Sequence, residues 1–121
     1  MDEITTLQAE ILKVMASPRR LEILHRLAGG SMEVGRLATE IGASQPNVSQ
    51  HLSVLRTAGL VESERDGREV RYRLADPDVI TACDLMRQVL GRRLTRLSEL
   101  ASPAPESTSE APSRLLANAR W

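Results

Sequence analysis

Between Ser44 and His51 the chain reads Ser-Gln-Pro-Asn-Val-Ser-Gln-His, and the polar members of that run are short and carry no acidic charge. Gln and Asn can pair bidentately with adenine in the major groove, and Ser can donate to or accept from any base. The chemistry on offer is the reading of a duplex, not the making or breaking of bonds, although an ordinary amphipathic helix with a neutral face would show the same run. Ser44, Gln45, Asn47, Ser49, Gln50 and His51 are the candidate contacts. His51 lies nearer the apolar edge of the run than Gln50, where a brace or a phosphate contact is the natural use of the ring. Arg65 and Arg68 bracket Asp66-Gly67 further along, placed to reach a minor groove or phosphates. Solubility alone would also account for those two arginines, with Glu62, Glu64, Asp66 and Glu69 close by.

The remaining reactive side chains are few. Cys83 is the single cysteine, so no intrachain disulfide exists. It reads either as a small buried hydrophobe or as a sensor thiol whose oxidation, or disulfide with a second copy, alters DNA binding. Asp84 beside it raises a thiol pKa and Arg87, one turn on, lowers it. His25 and His51 fall in separate elements and read as structural, and no metal site is expected. No glycine-rich phosphate loop and no set of nucleophile, histidine and acid is present, so an enzyme and a bound cofactor are not expected.

The elements that must hold the polar run follow from hydrophobic spacing. Ser44 suits a helix cap, Pro46 is tolerated in a first turn, and Val48, Leu52 and Leu55 recur at four and three. That predicts a helix from Ser44 to Arg56 with Pro46, Gln50 and Ser53 on the face opposite its apolar side. Upstream, Ile4, Leu7, Ile11, Val14 and Met15 predict an amphipathic helix over 4–16. Ser17-Pro18 opens a second that runs to Ala28 and stops at Gly29-Gly30. A third short helix starts at Ser31 or Met32 with Val34, Leu37, Ala38 and Ile41 inward, and Gly42-Ala43 makes the turn into the polar helix. Gly35, Ala38 and Gly42 are small enough to let those two helices cross closely. Two short helices about a tight glycine turn form a helix-turn-helix.

After Ala58-Gly59 the period changes to two. Leu60 to Arg65 and Arg68 to Leu74 flank Asp66-Gly67, a strong hairpin signal, with Val70, Tyr72 and Leu74 alternating against Glu69, Arg71 and Arg73. Asp76-Pro77 then opens a helix to Leu100 striped by Val79, Cys83, Met86, Leu90, Leu94 and Leu97. Such a helix outruns the core of a small domain. Its stripe and the first helix therefore need a second chain, which a twofold dimer through both terminal helices supplies.

The chain has 121 residues, of which 41% are hydrophobic and 26% charged, with zero formal net charge. With one Tyr, one Trp and no Phe, the core must come from aliphatic side chains, which suits packed helices. Fifteen of the 16 basic residues are Arg, apt for phosphate forks, although codon bias gives the same excess. No run is long enough to span a bilayer and no signal pattern opens the chain, so no membrane partner and a cytoplasmic location are expected. Residues 1–100 are expected to be one DNA-binding and dimerisation domain. Residues 101–121, rich in Ser and Pro, read as a flexible tail in which Leu115, Leu116 and Trp121 make at most a weak docking segment.

Three stretches resemble the ArsR/SmtB family of bacterial winged-helix repressors. Ala16-Ser17-Pro18-Arg19-Arg20-Leu21-Glu22-Ile23-Leu24 is similar to its second-helix opening, and Ser44 to Leu52 to its recognition helix. Ala58-Gly59-Leu60-Val61, Arg65-Asp66-Gly67-Arg68 and Tyr72-Arg73-Leu74 are similar to its wing. The resemblance spans residues 4–100. It implies a mainly α winged helix-turn-helix with a small β-hairpin, a homodimer on a palindromic DNA operator, and repression lifted by an inducer, small-molecule or redox, that the sequence does not identify. The family's metal sensors often carry a Cys-x-Cys pair in the third helix, where this chain has Glu33 and Gly35. The family's second metal site uses His and carboxylates in the last helix, and residues 76–100 hold Asp76, Asp78, Asp84 and Glu99 but no His. Thiolate capture of a metal is thereby removed from the expected inducers. The competing reading is a winged helix used for protein contacts, which predicts acidic or apolar residues where Gln45, Asn47, Ser49 and Gln50 stand.

Overall fold

The first helix is set by a side-chain cap: Asp2 Oδ1 accepts the amide of Thr5 at 2.6 Å, and α1 runs Glu3–Met15. That bond holds the Asp2 carboxyl below its ordinary range. The computed structural model describes residues 2–101. The element order continues α2 (Pro18–Leu27), β1 (Met32–Glu33), α3 (Val34–Ile41), α4 (Gln45–Thr57), β2 (Val61–Asp66), β3 (Glu69–Leu74) and α5 (Asp78–Ala101). The described residues up to Ile80 form one compact unit, and α5 from Thr81 onward belongs to a second.

Each helix start in the first unit carries the chemistry that backbone donors demand. Ser17 Oγ accepts from Arg20 N at 3.3 Å and Ser44 Oγ from Asn47 N at 3.2 Å. The stops of α3 and α4 are built alike. Ala43 N bonds Ala38 O at 3.0 Å and Gly42 N bonds Thr39 O at 3.2 Å, with Gly42 at φ +78°. After α4, Leu60 N bonds Leu55 O at 2.9 Å and Gly59 N bonds Arg56 O at 3.0 Å, with Gly59 at φ +80°. Both are Schellman motifs, and at α4 the buried Leu55 and Leu60 are the hydrophobic pair that accompanies one.

Two expectations about the helix-turn-helix change. Met32 and Glu33 do not begin the third helix: they form β1, pairing with Tyr72 and Arg71 of β3. Helix α3 starts at Val34, and Glu33 Oε1 caps it by accepting from Arg36 N at 2.7 Å. Gly42 serves the backbone instead of a close crossing, because a Cβ there would meet nothing within 4 Å. Ala38 is the small residue that is buried.

The sheet is antiparallel in the order β1-β3-β2, so the hairpin gains a third, two-residue strand along β3. Asp66 pairs with Glu69, which makes Gly67-Arg68 the two-residue loop, one position later than Asp66-Gly67. Gly67 has φ +64° and among the described residues no non-glycine residue has positive φ, the pattern of a type II′ turn. The core is aliphatic, as the shortage of aromatics required. Ile23, Leu24 and Leu27 of α2 meet Leu37 of α3, Val48, Leu52 and Leu55 of α4, and Val61 of β2, all nearly or wholly inaccessible. At about 2–5 kcal/mol for each Leu truncated to Ala in such a site, this cluster is what fixes α4 against α3.

In α5, Asp76 Oδ1 accepts from Asp78 N at 3.0 Å at the start. Val79, Cys83, Leu90, Leu94 and Leu97 are half-buried, whereas Leu85, Met86, Val89 and Leu100 are exposed at 59%, 56%, 45% and 83%. In α1, Ile4, Leu7 and Leu12 are exposed in the same way. Ala101, the first residue of the expected tail, is the last of α5. The rest of that segment, with Leu115, Leu116 and Trp121, lies outside the described residues.

Candidate nucleic-acid interface

Helix α4 buries Val48, Leu52 and Leu55 completely and turns the rest outward. Gln45, Pro46, Asn47, Ser49 and Gln50 are all exposed, so the first two turns present an uncharged polar ridge on a rigid apolar base. The hydroxyl of Ser44 caps α4 through Asn47 N, leaving a lone pair and its proton for a second partner. Gln45 leans toward α3: a Cβ built on Gly35 would lie 3.6 Å from its Oε1. Ser53, expected on the same outward face, is exposed there and borders an open groove with Val54, Thr57, Leu7, Ile11 and Val14. The exposed polar face therefore runs from Gln45 through Gln50 to Ser53.

His51 is not part of the open ridge. It is half-buried, and its Nδ1 accepts from Arg20 Nε of α2 at 3.2 Å. Burial, then the charges of Arg20 and Arg19, push the imidazole below its ordinary pKa. The ring is thus held neutral, with Nε2–H as its remaining donor.

The wing resolves a conflict that its composition poses, since four acidic and four basic residues crowd the stretch from Glu62 to Arg73. Strand register puts Glu62 opposite Arg73 and Glu64 opposite Arg71. Arg73 Nε lies 3.4 Å from Glu62 Oε1, and its other arm donates to Glu64. Arg71 turns to the base of the sheet, donating to Ser31 Oγ and Ser31 O at 3.1 and 2.9 Å, with Glu69 at 3.9 Å. Such exposed pairs stabilise little, about 0–1 kcal/mol each. Their effect is to offset part of the carboxylate charge along the strands. Arg65 and Arg68 are left exposed near the tip without an ion pair among the described residues. The polar ridge was legible from residue types. The pairing of Arg73 and Arg71 was not, although the hairpin register contained the signal: residues directly opposite on adjacent strands interact.

No group of three His, Cys, Asp or Glu side chains that could hold a metal occurs among the described residues. Glu33 is committed to capping α3. Cys83 is a free, half-buried thiol, and burial pushes its pKa up; Asp84 adds to the rise and Arg87 opposes it. Among the described residues no helix is long and apolar enough to cross a membrane.

Residues 17–63, from the cap of α2 to the first part of the wing, match the family described as bacterial regulatory protein, arsR family. An uncharacterised helix-turn-helix transcriptional regulator of Mycobacterium tuberculosis is 40% identical over 90 residues, covering 74% of this chain and 79% of that one. Its crystal structure superposes with a TM-score of 0.72 at 36% identity, over 81% of this chain and 99% of that one. The transcriptional repressor SmtB of M. tuberculosis is 45% identical over 74 residues, 61% of this chain and 55% of that protein. A solution structure of a homodimeric winged helix-turn-helix DNA-binding domain from Mycobacterium bovis superposes with a TM-score of 0.70 at 34% identity, over 77% of this chain and 86% of that one.

Proposed function

The chain belongs to the ArsR/SmtB family of bacterial winged-helix transcriptional regulators, and from that premise we propose that it is a homodimeric, sequence-specific DNA-binding repressor acting in the cytoplasm. The observation that carries this reading is the exposed ridge of Gln45, Asn47, Ser49 and Gln50 on a fully buried underside, beside a wing whose tip arginines are free of ion pairs among the described residues. A helix of this kind reads base edges from the major groove while the wing arginines hold phosphates or the minor groove.

Dimerisation is supported by the apolar residues that a single chain leaves wet, Leu85, Met86 and Val89 on α5 and Ile4, Leu7 and Leu12 on α1. A twofold pair presents two copies of α4 and calls for a palindromic operator. The regulator family is one of DNA-binding proteins, and no catalytic role is proposed. For release from DNA we propose an inducer other than a thiolate-bound metal, because Glu33 and Gly35 occupy the positions where the family's sensors carry cysteines. Cys83 is read as packing, its raised pKa working against thiolate chemistry.

The test is binding of the purified protein to a duplex carrying its own promoter and to a scrambled duplex of equal length. A dimer that neutralises about six to ten phosphates loses roughly three to five decades of affinity between 50 and 200 mM salt. A monomer with no preference for the promoter overturns the reading and favours a module for protein contacts.

A further inference from the structure

One guanidinium ties three helices together. Arg20, in the first turn of α2, donates from Nη1 to the carbonyl of Val14 at 2.9 Å and from Nε to His51 Nδ1 at 3.2 Å. The Val14 carbonyl belongs to the last turn of α1, where carbonyls have no partner within the helix. A cation there also suits the negative end of the α1 dipole. His51 belongs to α4, 31 residues away from Arg20 in sequence and next to Gln50 of the polar ridge. Both arms of the contact are half-buried.

We propose that Arg20 is a positioning residue for DNA reading: through His51 it sets the roll of α4 about its axis, and through Val14 it links that setting to the end of α1. The inference rests on the DNA-binding reading above. Hydrogen bonds to base edges tolerate errors of only a few tenths of an ångström. Attraction to phosphates is far less exacting. A small roll of α4 therefore costs discrimination before it costs general affinity. Because α1 is also a proposed dimer element, the same bridge lets a change in α1 reach the ridge.

His51 makes the idea separable from a plain DNA contact. It accepts from Arg20 only while neutral, since an imidazolium has two donors and no acceptor. Among the described residues the charges that bear on it are Arg20 and Arg19, both from α2. Protonation would set the ring against Arg20 and break the bridge. A histidine that touched phosphate directly would behave oppositely, because its added positive charge tightens binding.

The experiment measures affinity of the full chain for the promoter duplex and for a scrambled duplex, from pH 8 to 5.5 and across a salt series. The proteins are wild type, Arg20→Ala, Arg20→Lys and His51→Asn, whose Oδ1 replaces Nδ1 as a non-titrating acceptor. Losing a hydrogen bond to a charged group translates to about tenfold weaker promoter binding by Arg20→Ala. Scrambled-duplex affinity and the salt slope stay as in wild type. Arg20→Lys, which has no fork to reach both acceptors, restores only part of the loss. Wild type loses promoter preference on acidification, whereas the preference of His51→Asn, whatever its size at pH 8, does not change as the pH falls to 5.5. A variant that weakens both duplexes alike and flattens the log-log salt slope by about 0.9 per phosphate no longer neutralised would make Arg20 a phosphate ligand and overturn the proposal. Tighter promoter binding at low pH overturns it as well. Should Arg20→Ala fail to fold, the pH profiles of wild type and His51→Asn still decide. A wild type without promoter preference at any pH overturns the DNA-binding reading itself, a distinct result.

Discussion

Arg73 on β3 stands opposite Glu62 on β2, with Nε 3.4 Å from Oε1, and the same guanidinium also engages Glu64. One arginine thus engages both carboxylates that β2 carries before its tip and offsets one of their two charges. The consequence is a division of labour among the wing arginines: Arg73 and Arg71 face internal partners, while Arg65 and Arg68 have no ion pair among the described residues and are open to an external one. Arg68→Ala and Arg65→Ala are each expected to weaken promoter binding and to reduce the log-log salt slope by about 0.9 for every phosphate left without its cation. Arg73→Ala should weaken binding by a different route, exposing two uncompensated carboxylates near the DNA. Removing both carboxylate charges with Glu62→Gln and Glu64→Gln in the Arg73→Ala background recovers affinity if this account holds. No recovery would place Arg73 itself on the DNA.

Gln50 stands on the exposed ridge of α4, one residue before the half-buried His51. If it pairs with a base, Gln50→Ala costs about 1–3 kcal/mol on the promoter and much less on a scrambled duplex. The substitution lies on the solvent face, so thermal unfolding should be nearly unchanged. A loss equal on both duplexes would show that Gln50 reads no base.

Much of this arrangement was legible in the sequence because it depends on local rules. Ser17-Pro18 and Ser44 announce helix starts, and Val48, Leu52 and Leu55 at helical spacing announce a buried underside; all are found where expected. What escaped was set by partners distant in sequence. A two-residue strand such as Met32–Glu33 is too short to have a period, and only Tyr72 and Arg71 define it. The Arg20–His51 contact has no local signature at all. The hairpin turn slipped by one residue because Asp-Gly fits one register and Gly-Arg, with glycine first, fits the next.

Gly42 allows a test of the helix-turn-helix turn itself. It sits at φ +78° with open space where a Cβ would go, so substitution strains the backbone without a steric clash. Gly42→Ala is expected to destabilise the protein by about 1–2 kcal/mol in denaturant unfolding, the cost of a left-handed conformation for an L residue. A gain of roughly 0.4–1 kcal/mol, the usual result where Ala is compatible, would mean that the turn adopts another conformation in solution.

Cys83 separates a sensing helix from a packing one. Burial is the leading reason that its thiol is harder to ionise than usual, Asp84 acts in the same direction, and Arg87 only partly offsets them. A raised pKa means less thiolate at neutral pH, and thiolate is the species that attacks peroxide, persulfide or an alkylating agent. Alkylation of the native protein by iodoacetamide is therefore expected to be slower than that of free cysteine at pH 7. It should go on accelerating as pH rises past about 8.5, where a free thiol is already half ionised. On the same argument, wild type and Cys83→Ser bind the promoter alike before and after peroxide or persulfide treatment. Release of the wild type alone would reverse the assignment and make this thiol the inducer site, with α5 as the element that carries the signal.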